Sequence, residues 1–195
     1  MGHKHHGKSS AKFLNSDEIL SELNLEGNEV LMDAGCGDGY ISINAIEKYL
    51  PEGSVYAVDI HEESMEGLIE YKNENNAENL INIVADITEG IFEVEDSSVD
   101  VILMVNVFHG FKTSQNEDAV VEELKRMIDD DGKIAIVDFN PIELPLGPPV
   151  DIKSSPERLE ELFAKHGLEK VYLNDELGTE YPNGKSHYMI IFKKE

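Results

Sequence analysis

The chain has 195 residues, of which 41% are hydrophobic, and this is enough for one globular domain with a sizeable core. Acidic residues outnumber basic ones by 40 to 16, and the resulting formal net charge of −24 disfavours a nucleic-acid partner because it repels phosphate backbones. The single cysteine, Cys36, excludes an intramolecular disulfide, and the lack of a long apolar run or a signal segment leads us to expect a cytoplasmic protein without a membrane span.

The first twelve residues contain no large apolar side chain after Met1 and are predicted to form a flexible arm. The remaining residues, 13–195, are predicted to form a single domain. The arm carries His3, His5 and His6, and a histidine cluster of this kind can bind a transition metal. An exposed tail that binds no metal explains the same cluster equally well.

Two hydrophobic periodicities alternate along the rest of the chain. Short apolar runs predict strands at residues 29–34, 54–59, 80–85, 100–108 and 133–139. Apolar positions at helical spacing predict helices at residues 41–50, 62–75, 117–128 and 156–166. Strands that alternate with helices build βαβ units, which predicts an α/β fold with a doubly wound, mostly parallel sheet.

The end of the chain departs from this alternation. Two further strands are predicted at residues 168–174 and 187–193, joined by a glycine- and proline-containing stretch without helical periodicity. Such a link predicts a hairpin, so that an antiparallel C-terminal strand completes a seven-stranded sheet.

A proline-rich loop at residues 140–151 follows the fifth predicted strand. In open α/β sheets, ligands bind beyond the carboxyl ends of the strands, so this loop is well placed to cover a binding site. We expect the loop, the arm and residues 13–25 to form a lid.

A glycine-rich loop follows the first predicted strand and opens the next helix. Glycines in such a loop allow positive φ angles and a close approach of a ligand to the backbone. A dinucleotide site favours G-x-G-x-x-G, whereas here the third glycine comes one residue early and the flanking acids would repel a pyrophosphate. The loop therefore suits a ligand that carries an ammonium and a sulfonium group. The residues predicted to bind it are Asp33, Gly35, Cys36, Gly37, Gly39 and Tyr40.

Acidic residues also end the second and third predicted strands. Asp59 is placed to hydrogen-bond the two ribose hydroxyls of a nucleoside, with Ile60 and His61 beside the base. Asp86 is a candidate acceptor for the adenine amino group, with Ile87 against the ring. An aspartate at a strand end is also a common helix cap, and this alternative stays open, above all for Asp86.

The fourth predicted strand leaves the sheet at Asn106, which we expect to contact the methionine end of the cofactor. His109 follows and is a candidate general base, metal ligand or substrate contact. A hydrogen-bonded structural histidine is the alternative at this position.

These motifs resemble those of the class I S-adenosylmethionine (SAM)-dependent methyltransferases, from about Val30 to the end of the chain. The glycine loop resembles the first family motif, and Asp59, Asp86 and the strand before His109 resemble the second to fourth. A finer likeness, to small microbial enzymes of the quinone-biosynthesis and arsenite-methylase-like group, rests on His109, the Gly147-Pro148-Pro149 loop and residues 158–168. An arsenite methylase needs several cysteines, so Cys36 alone argues against that activity.

The resemblance implies a Rossmann-like fold, SAM as cofactor and methyl transfer to a small-molecule acceptor. His109 would orient or deprotonate that acceptor. Two rival hypotheses are a SAM-binding protein that is not an enzyme or responds to a metal, and an NAD-dependent oxidoreductase.

Overall fold

The computed structural model describes residues 14–195, and the predicted arm with His3, His5 and His6 lies outside the described residues. Within this part of the chain, seven strands form one sheet in the order β3-β2-β1-β4-β5-β7-β6. Strand β7 runs antiparallel to its two neighbours, while the other four pairs of neighbouring strands are parallel, which confirms the predicted topology. The strands are β1 (Val30–Ala34), β2 (Ser54–Asp59), β3 (Leu80–Val84), β4 (Val99–Val105), β5 (Ile128–Phe139), β6 (Leu168–Tyr181) and β7 (Gly184–Lys194).

Helices cover both faces of the sheet and divide the core into two apolar layers. Helices α5 and α6 bury Val121, Leu124 and Phe163 on one face, and α1 and α3 bury Leu20 and Leu68 on the other. A parallel sheet that is covered on both faces in this way explains why the central strands are continuously apolar. The helices are α1 (Ser16–Glu22), α2 (Tyr40–Asn44), α3 (Glu66–Asn75), α4 (His109–Ser114), α5 (Glu117–Met127) and α6 (Pro156–Lys165).

Strand β5 begins at Ile128, five residues earlier than predicted. Three elements before it also differ from their predicted form. The helix predicted at residues 41–50 is α2 followed by a π-helical turn, Ala45–Tyr49, whose widened bond runs from the Leu50 amide to the Ala45 carbonyl at 2.9 Å. The helix predicted at residues 62–75 begins with a 3₁₀ turn, Glu62–Met65. Strand β4 ends before Phe108 because Asn106 has a left-handed φ of 60°.

The C-terminal hairpin is longer than predicted. Strands β6 and β7 continue to the pair Tyr181 and Gly184, so that only two residues form the turn. Most of β6 is exposed at the sheet edge, so it lacks the alternation of apolar and polar residues that predicts a strand. The extra length brings the start of β7 to the carboxyl edge of β5, where His187 lies opposite Phe139.

The longest helix in residues 14–195, α5, has 11 residues. None of the helices in this part of the chain is long and apolar enough to cross a membrane. The cytoplasmic location stays a prediction.

A histidine bridge joins α5 to the end of α6. His166 contacts Glu122 through Nδ1 at 2.6 Å and Asp118 through Nε2 at 2.9 Å. Burial lowers the pKa of His166, but the hydrogen bonds to the two carboxylates outweigh it and raise the pKa above its usual value.

We therefore expect the bridge to stabilise the fold at low pH. Its contribution is fully present below the unfolded-state pKa of about 6.5 and is lost as the pH rises through the higher folded-state pKa. Urea unfolding should show that His166→Gln destabilises the protein at about pH 6 and much less at about pH 9. Equal destabilisation at both pH values would contradict this role.

Candidate active site

The glycine loop lies at the carboxyl end of β1 and is fixed to β2. The amides of Gly35 and Cys36 both donate to the Val58 carbonyl, at 2.7 and 2.9 Å. Gly35, Gly37 and Gly39 have φ angles of 88°, 54° and 77°, a region that side-chain-bearing residues rarely adopt. The loop thus presents its backbone at the sheet edge where ligands of this fold bind.

The three glycines have different surroundings. A Cβ atom on Gly35 would lie 2.4 Å from Val107 Cγ2, and one on Gly39 would lie 2.4 Å from Leu68 Cδ1. A Cβ atom on Gly37 would meet no atom within 4 Å. Gly35 and Gly39 are therefore needed for packing, whereas Gly37 faces open space that can receive a ligand.

The structure brings Asp59 to this open glycine, as the predicted spacing requires. Asp59 Oδ2 accepts a hydrogen bond from the Gly37 amide at 2.9 Å, and Oδ1 accepts one from the His61 amide at 2.8 Å. Each oxygen retains acceptor capacity for a ribose hydroxyl. Next to it, Ile60 is 53% exposed and offers an apolar surface to a base.

Asp86 closes a local turn after β3 and does not cap a helix, because the next element along the chain is β4. Its Oδ1 atom accepts hydrogen bonds from the Thr88 amide at 2.9 Å and from the Thr88 hydroxyl at 2.7 Å. The neighbouring Ile87 is half-buried and packs against the core on the α5 side. Contacts of Asp86 and Ile87 with adenine stay predictions.

Asp33 is buried beneath the glycine loop and accepts a hydrogen bond from the Ser42 hydroxyl at 2.6 Å. Burial raises the pKa of Asp33 to about 6, and the charges of Asp59 and Asp38 add to the rise, against the Ser42 hydrogen bond that lowers it. Burial and the same acids raise the pKa of the Cys36 thiol far above its usual value, so Cys36 is not a nucleophile. The loop is thus an acidic cradle that favours a cation.

Tyr40 connects the glycine loop to the first helix. Its hydroxyl accepts a hydrogen bond from the Ser16 amide at 3.3 Å, at the start of α1. Asn44 then donates to the Ser16 hydroxyl at 2.8 Å and to Asp17 at 2.9 Å. Helix α1 is therefore attached to the helix that follows the glycine loop, and direct contact of Tyr40 with a cofactor stays a prediction.

Asn106 follows the last residue of β4, beside the glycine loop. Its amide donates to the Val137 carbonyl at 2.9 Å, while its side-chain Oδ1 is buried and has no hydrogen-bond partner among the described residues. A buried polar atom without a partner costs free energy, so this oxygen is suited to accept a hydrogen bond from a ligand.

His109 is only 4% exposed and lies against Asp138. Asp138 accepts hydrogen bonds from the His109 amide at 2.9 Å, from the Phe139 amide at 2.8 Å and from the His109 ring at Nδ1, 2.8 Å away. Because the carboxylate accepts all three bonds, the His109 ring donates through Nδ1, and Nε2 is the ring atom through which it would exchange a proton. The catalytic role of His109 stays a prediction.

Sequence reasoning missed the groups that surround this histidine. Asp138, Lys153 and His187 are almost fully buried at the carboxyl edge of β5, around the Phe139 ring. Burial lowers the pKa of His187 to about 4, so its ring is neutral at neutral pH. The only sequence signal was an acidic residue at the end of the apolar fifth strand, which also fits a simple cap.

The proline-rich loop covers this group, in the position that the sequence predicts. A Cβ atom on Gly147 would lie 2.6 Å from Phe139 Cε1, so the loop backbone rests on that ring. Lys112 Nζ donates to the carbonyls of Asp151 and Lys153, each at 2.8 Å, and holds the far end of the loop. Opening of the loop as a lid stays a prediction.

No group of three metal-binding side chains occurs in the part of the chain that the structure describes. The predicted metal ligands His3, His5 and His6 lie outside it.

The family model of a methyltransferase domain matches residues 25–194 of this chain. The chain therefore belongs to the methyltransferase-domain family, as its motifs predict. No curated protein sequence matches it significantly. The narrower quinone-biosynthesis and arsenite-methylase-like assignment stays a prediction.

Solved structures share the fold. A SAM-dependent methyltransferase from Aquifex aeolicus is 23% identical with a TM-score of 0.78, over 92% of this chain and 89% of that one. A putative type 11 methyltransferase from Sulfolobus solfataricus is 24% identical with a TM-score of 0.67, over 93% of each chain. A [4+2]-cyclase, SpnF, is 13% identical with a TM-score of 0.73, over 91% of this chain and 79% of that one.

Proposed function

We propose that this protein transfers the methyl group of SAM to a small-molecule acceptor. The observation that carries the proposal is the open cradle at Gly37, whose amide is held by the Asp59 carboxylate at 2.9 Å. When bound, the cofactor supplies a methyl group that is already activated by a sulfonium. The membership of the methyltransferase-domain family supports the same conclusion.

The charge of the cradle favours SAM over a dinucleotide. Asp33, Asp38 and Asp59 surround the glycine loop and complement an ammonium and a sulfonium, whereas they would repel a pyrophosphate. Asp59 would hold the ribose hydroxyls, Ile60 and Ile87 would flank the base, and Asn106 Oδ1 would accept a hydrogen bond from the methionine ammonium.

The cation preference predicts a pH dependence of cofactor binding. Ionised Asp33 favours the cation, so the affinity for SAM should rise with pH through the Asp33 pKa of about 6 and level off above it. Asp33→Asn should bind more weakly and lose this dependence, since the amide does not ionise. Calorimetric titrations from about pH 5 to about pH 8 would measure both, and a wild-type affinity that does not change across this range would refute the account.

In the reaction, the protein has mainly to align the acceptor with the methyl group and exclude water. The carboxyl edges of β4 and β5 follow the cradle along the sheet, so His109, Phe139 and the proline-rich loop would lie on the acceptor side. The lone pair on His109 Nε2, fixed by Asp138, would take a proton from an acceptor that carries one.

His109→Gln should lower turnover by about 100-fold or more, the usual contribution of a general base, with little change in SAM affinity. His166→Gln is a matched control, because His166 lies in the α5–α6 bridge away from the cradle. Unchanged turnover in His109→Gln would reject the catalytic role and leave His109 as a structural residue.

A screen of small acceptors and cell extract with radiolabelled SAM tests the function itself. Label that moves to a small-molecule fraction supports the proposal, and identification of that fraction names the acceptor. The fold also occurs in a [4+2]-cyclase, so fold alone does not decide the activity. SAM binding without any transfer of label would favour the rival hypothesis of a SAM-binding protein that is not a methyltransferase.

A further inference from the structure

A buried lysine lies on the acceptor side of the sheet edge. Lys153 is 3% exposed, and its ammonium is 5.6 Å from the centre of the Phe139 ring. Among the described residues it makes one hydrogen bond, to the Ile142 carbonyl at 2.6 Å, although an ammonium has three N–H donors. A buried cation is costly unless it is well paired, so this ammonium is suited to bind an anion.

The order of the strands places this ammonium beyond the cofactor. Along the carboxyl edge, Asp59 ends β2, the glycine loop follows β1, Asn106 follows β4, and Phe139 ends β5. A cofactor that extends from Asp59 to Asn106 ends next to the group formed by His109, Asp138, Lys153 and His187, which we call the acceptor-side group.

The other members of the acceptor-side group complement the lysine. His109 donates through Nδ1 to Asp138, so Nε2 is the ring atom that would receive a proton. His187 stays neutral at neutral pH, since burial lowers its pKa to about 4, and its Nε2 atom has no hydrogen-bond partner among the described residues. Burial lowers the pKa of the Lys153 ammonium, and the charge of Asp138 opposes this fall. Lys153 and Asp138 also act on His187, whose pKa Asp138 raises and Lys153 lowers.

We propose that the site takes acceptors with a hydroxyl on a conjugated ring, a phenol or an enol, whose oxygen is held as an anion by Lys153 while His109 receives its proton. The inference rests on the proposed methyltransferase function and narrows its acceptor class. The Ile142 carbonyl oxygen marks the position that the oxygen anion would take, and it leaves with the proline-rich loop when the acceptor enters.

The step balances in atoms and charge. The hydroxyl proton passes to His109 Nε2, and the oxygen lone pair forms a bond to the methyl carbon while the carbon–sulfur bond breaks and leaves its electron pair on sulfur. Before the step, Lys153 and Asp138 cancel each other in charge. With the oxygen anion and the protonated His109 added, the group is again neutral, so no net charge is created in the buried site.

The test measures ionisation of a probe rather than methyl transfer. The probe is 4-nitrophenol, whose anion absorbs visible light, and the full-length protein is saturated with S-adenosylhomocysteine so that no reaction occurs. We expect the ionisation constant of the bound probe to rise by about 10- to 100-fold over that of the free probe, the effect of one hydrogen bond to a charged group. No binding, or binding without increased ionisation, would overturn the proposal.

Variants assign the effect to the ammonium. Lys153→Met should abolish the increase in ionisation, and Lys153→Arg should retain most of it because the cation remains. Lys112→Met is the matched control, since Lys112 holds the same loop through two carbonyls, and it should retain the full increase. If the bound probe is ionised as strongly in Lys153→Met as in the wild-type protein, the proposal is wrong.

The result is separable from the proposed function. If label moves from SAM to a thiol or amine acceptor while 4-nitrophenol is not ionised, the protein is a methyltransferase and the inference on acceptor class is wrong. If the probe is ionised at Lys153 but no label moves to any acceptor, the inference on the anion site is supported and the methyltransferase function is rejected.

Discussion

Asp59→Ala is expected to weaken SAM binding by about 100-fold or more. The variant removes a carboxylate that would accept from two ribose hydroxyls, and each hydrogen bond to a charged group contributes about 1.5–3 kcal/mol. It also releases the amides of Gly37 and His61, so the open glycine loses its fixed position. Calorimetry with SAM would measure the loss.

Asp129→Ala is a matched control for this variant. Asp129 Oδ1 accepts from the amide two residues ahead at 3.0 Å, as Asp59 does, but lies at the start of β5, at the opposite edge of the sheet. We expect wild-type SAM affinity for Asp129→Ala. Similar losses in the two variants would show that a general effect on the fold, rather than the loss of ribose contacts, explains the effect of Asp59→Ala.

Alanine substitutions at Gly35 and Gly37 should affect different properties, the stability of the fold and the binding of SAM. Gly35→Ala places a Cβ atom 2.4 Å from Val107 Cγ2 at a φ of 88°, so we expect it to destabilise the fold by about 2–4 kcal/mol. Gly37→Ala meets no atom within 4 Å, and its φ of 54° costs only about 1–2 kcal/mol. The methyl group of Gly37→Ala instead occupies the space of the ligand.

Chemical denaturation and SAM titration of both variants test this contrast. Gly37→Ala should remain folded and bind SAM about ten- to a hundredfold more weakly, the effect of overpacking by 1–3 kcal/mol. The main effect of Gly35→Ala should be a lower free energy of unfolding. Wild-type affinity in Gly37→Ala would mean that the open space beside Gly37 is not the cofactor cradle.

The sequence predicts the sheet well, and it also brings Gly37 and Asp59 to one edge of that sheet, because the signals for strands and for the residues that follow them are local. Apolar runs and helical spacing alternate clearly, so a doubly wound, mostly parallel sheet follows from the rules for βαβ connections, whereas the order of the strands is seen only in the structure. Gly37 and Asp59 are 22 residues apart, but each follows a strand, and parallel neighbours end at the same edge. Their binding roles stay predictions, while their proximity is observed.

The acceptor side could not be predicted because its members come from distant segments. Asp138 is 29 residues from His109. His187 lies in β7, in a hairpin whose length the sequence does not show because the edge strand β6 is polar. From the sequence alone, Lys153 is expected to be an ordinary surface lysine after a proline-rich loop. Only the packing of the loop against Phe139 shows that its ammonium is buried.

The helix predicted at residues 41–50 shows a different limit. Its apolar spacing is nearly the same for an α-helix and for an α-helix with one π turn, so the sequence does not separate them. The pattern gives the buried face, and the backbone path depends on how Leu50 packs into the core.

The central claim is that the glycine loop holds SAM. The most direct measurement is a calorimetric titration of the full chain with SAM, S-adenosylhomocysteine and NADH. The account predicts that SAM and S-adenosylhomocysteine bind at one site per chain and that NADH does not bind. Binding of NADH without binding of SAM would contradict the claim and favour an NAD-dependent oxidoreductase.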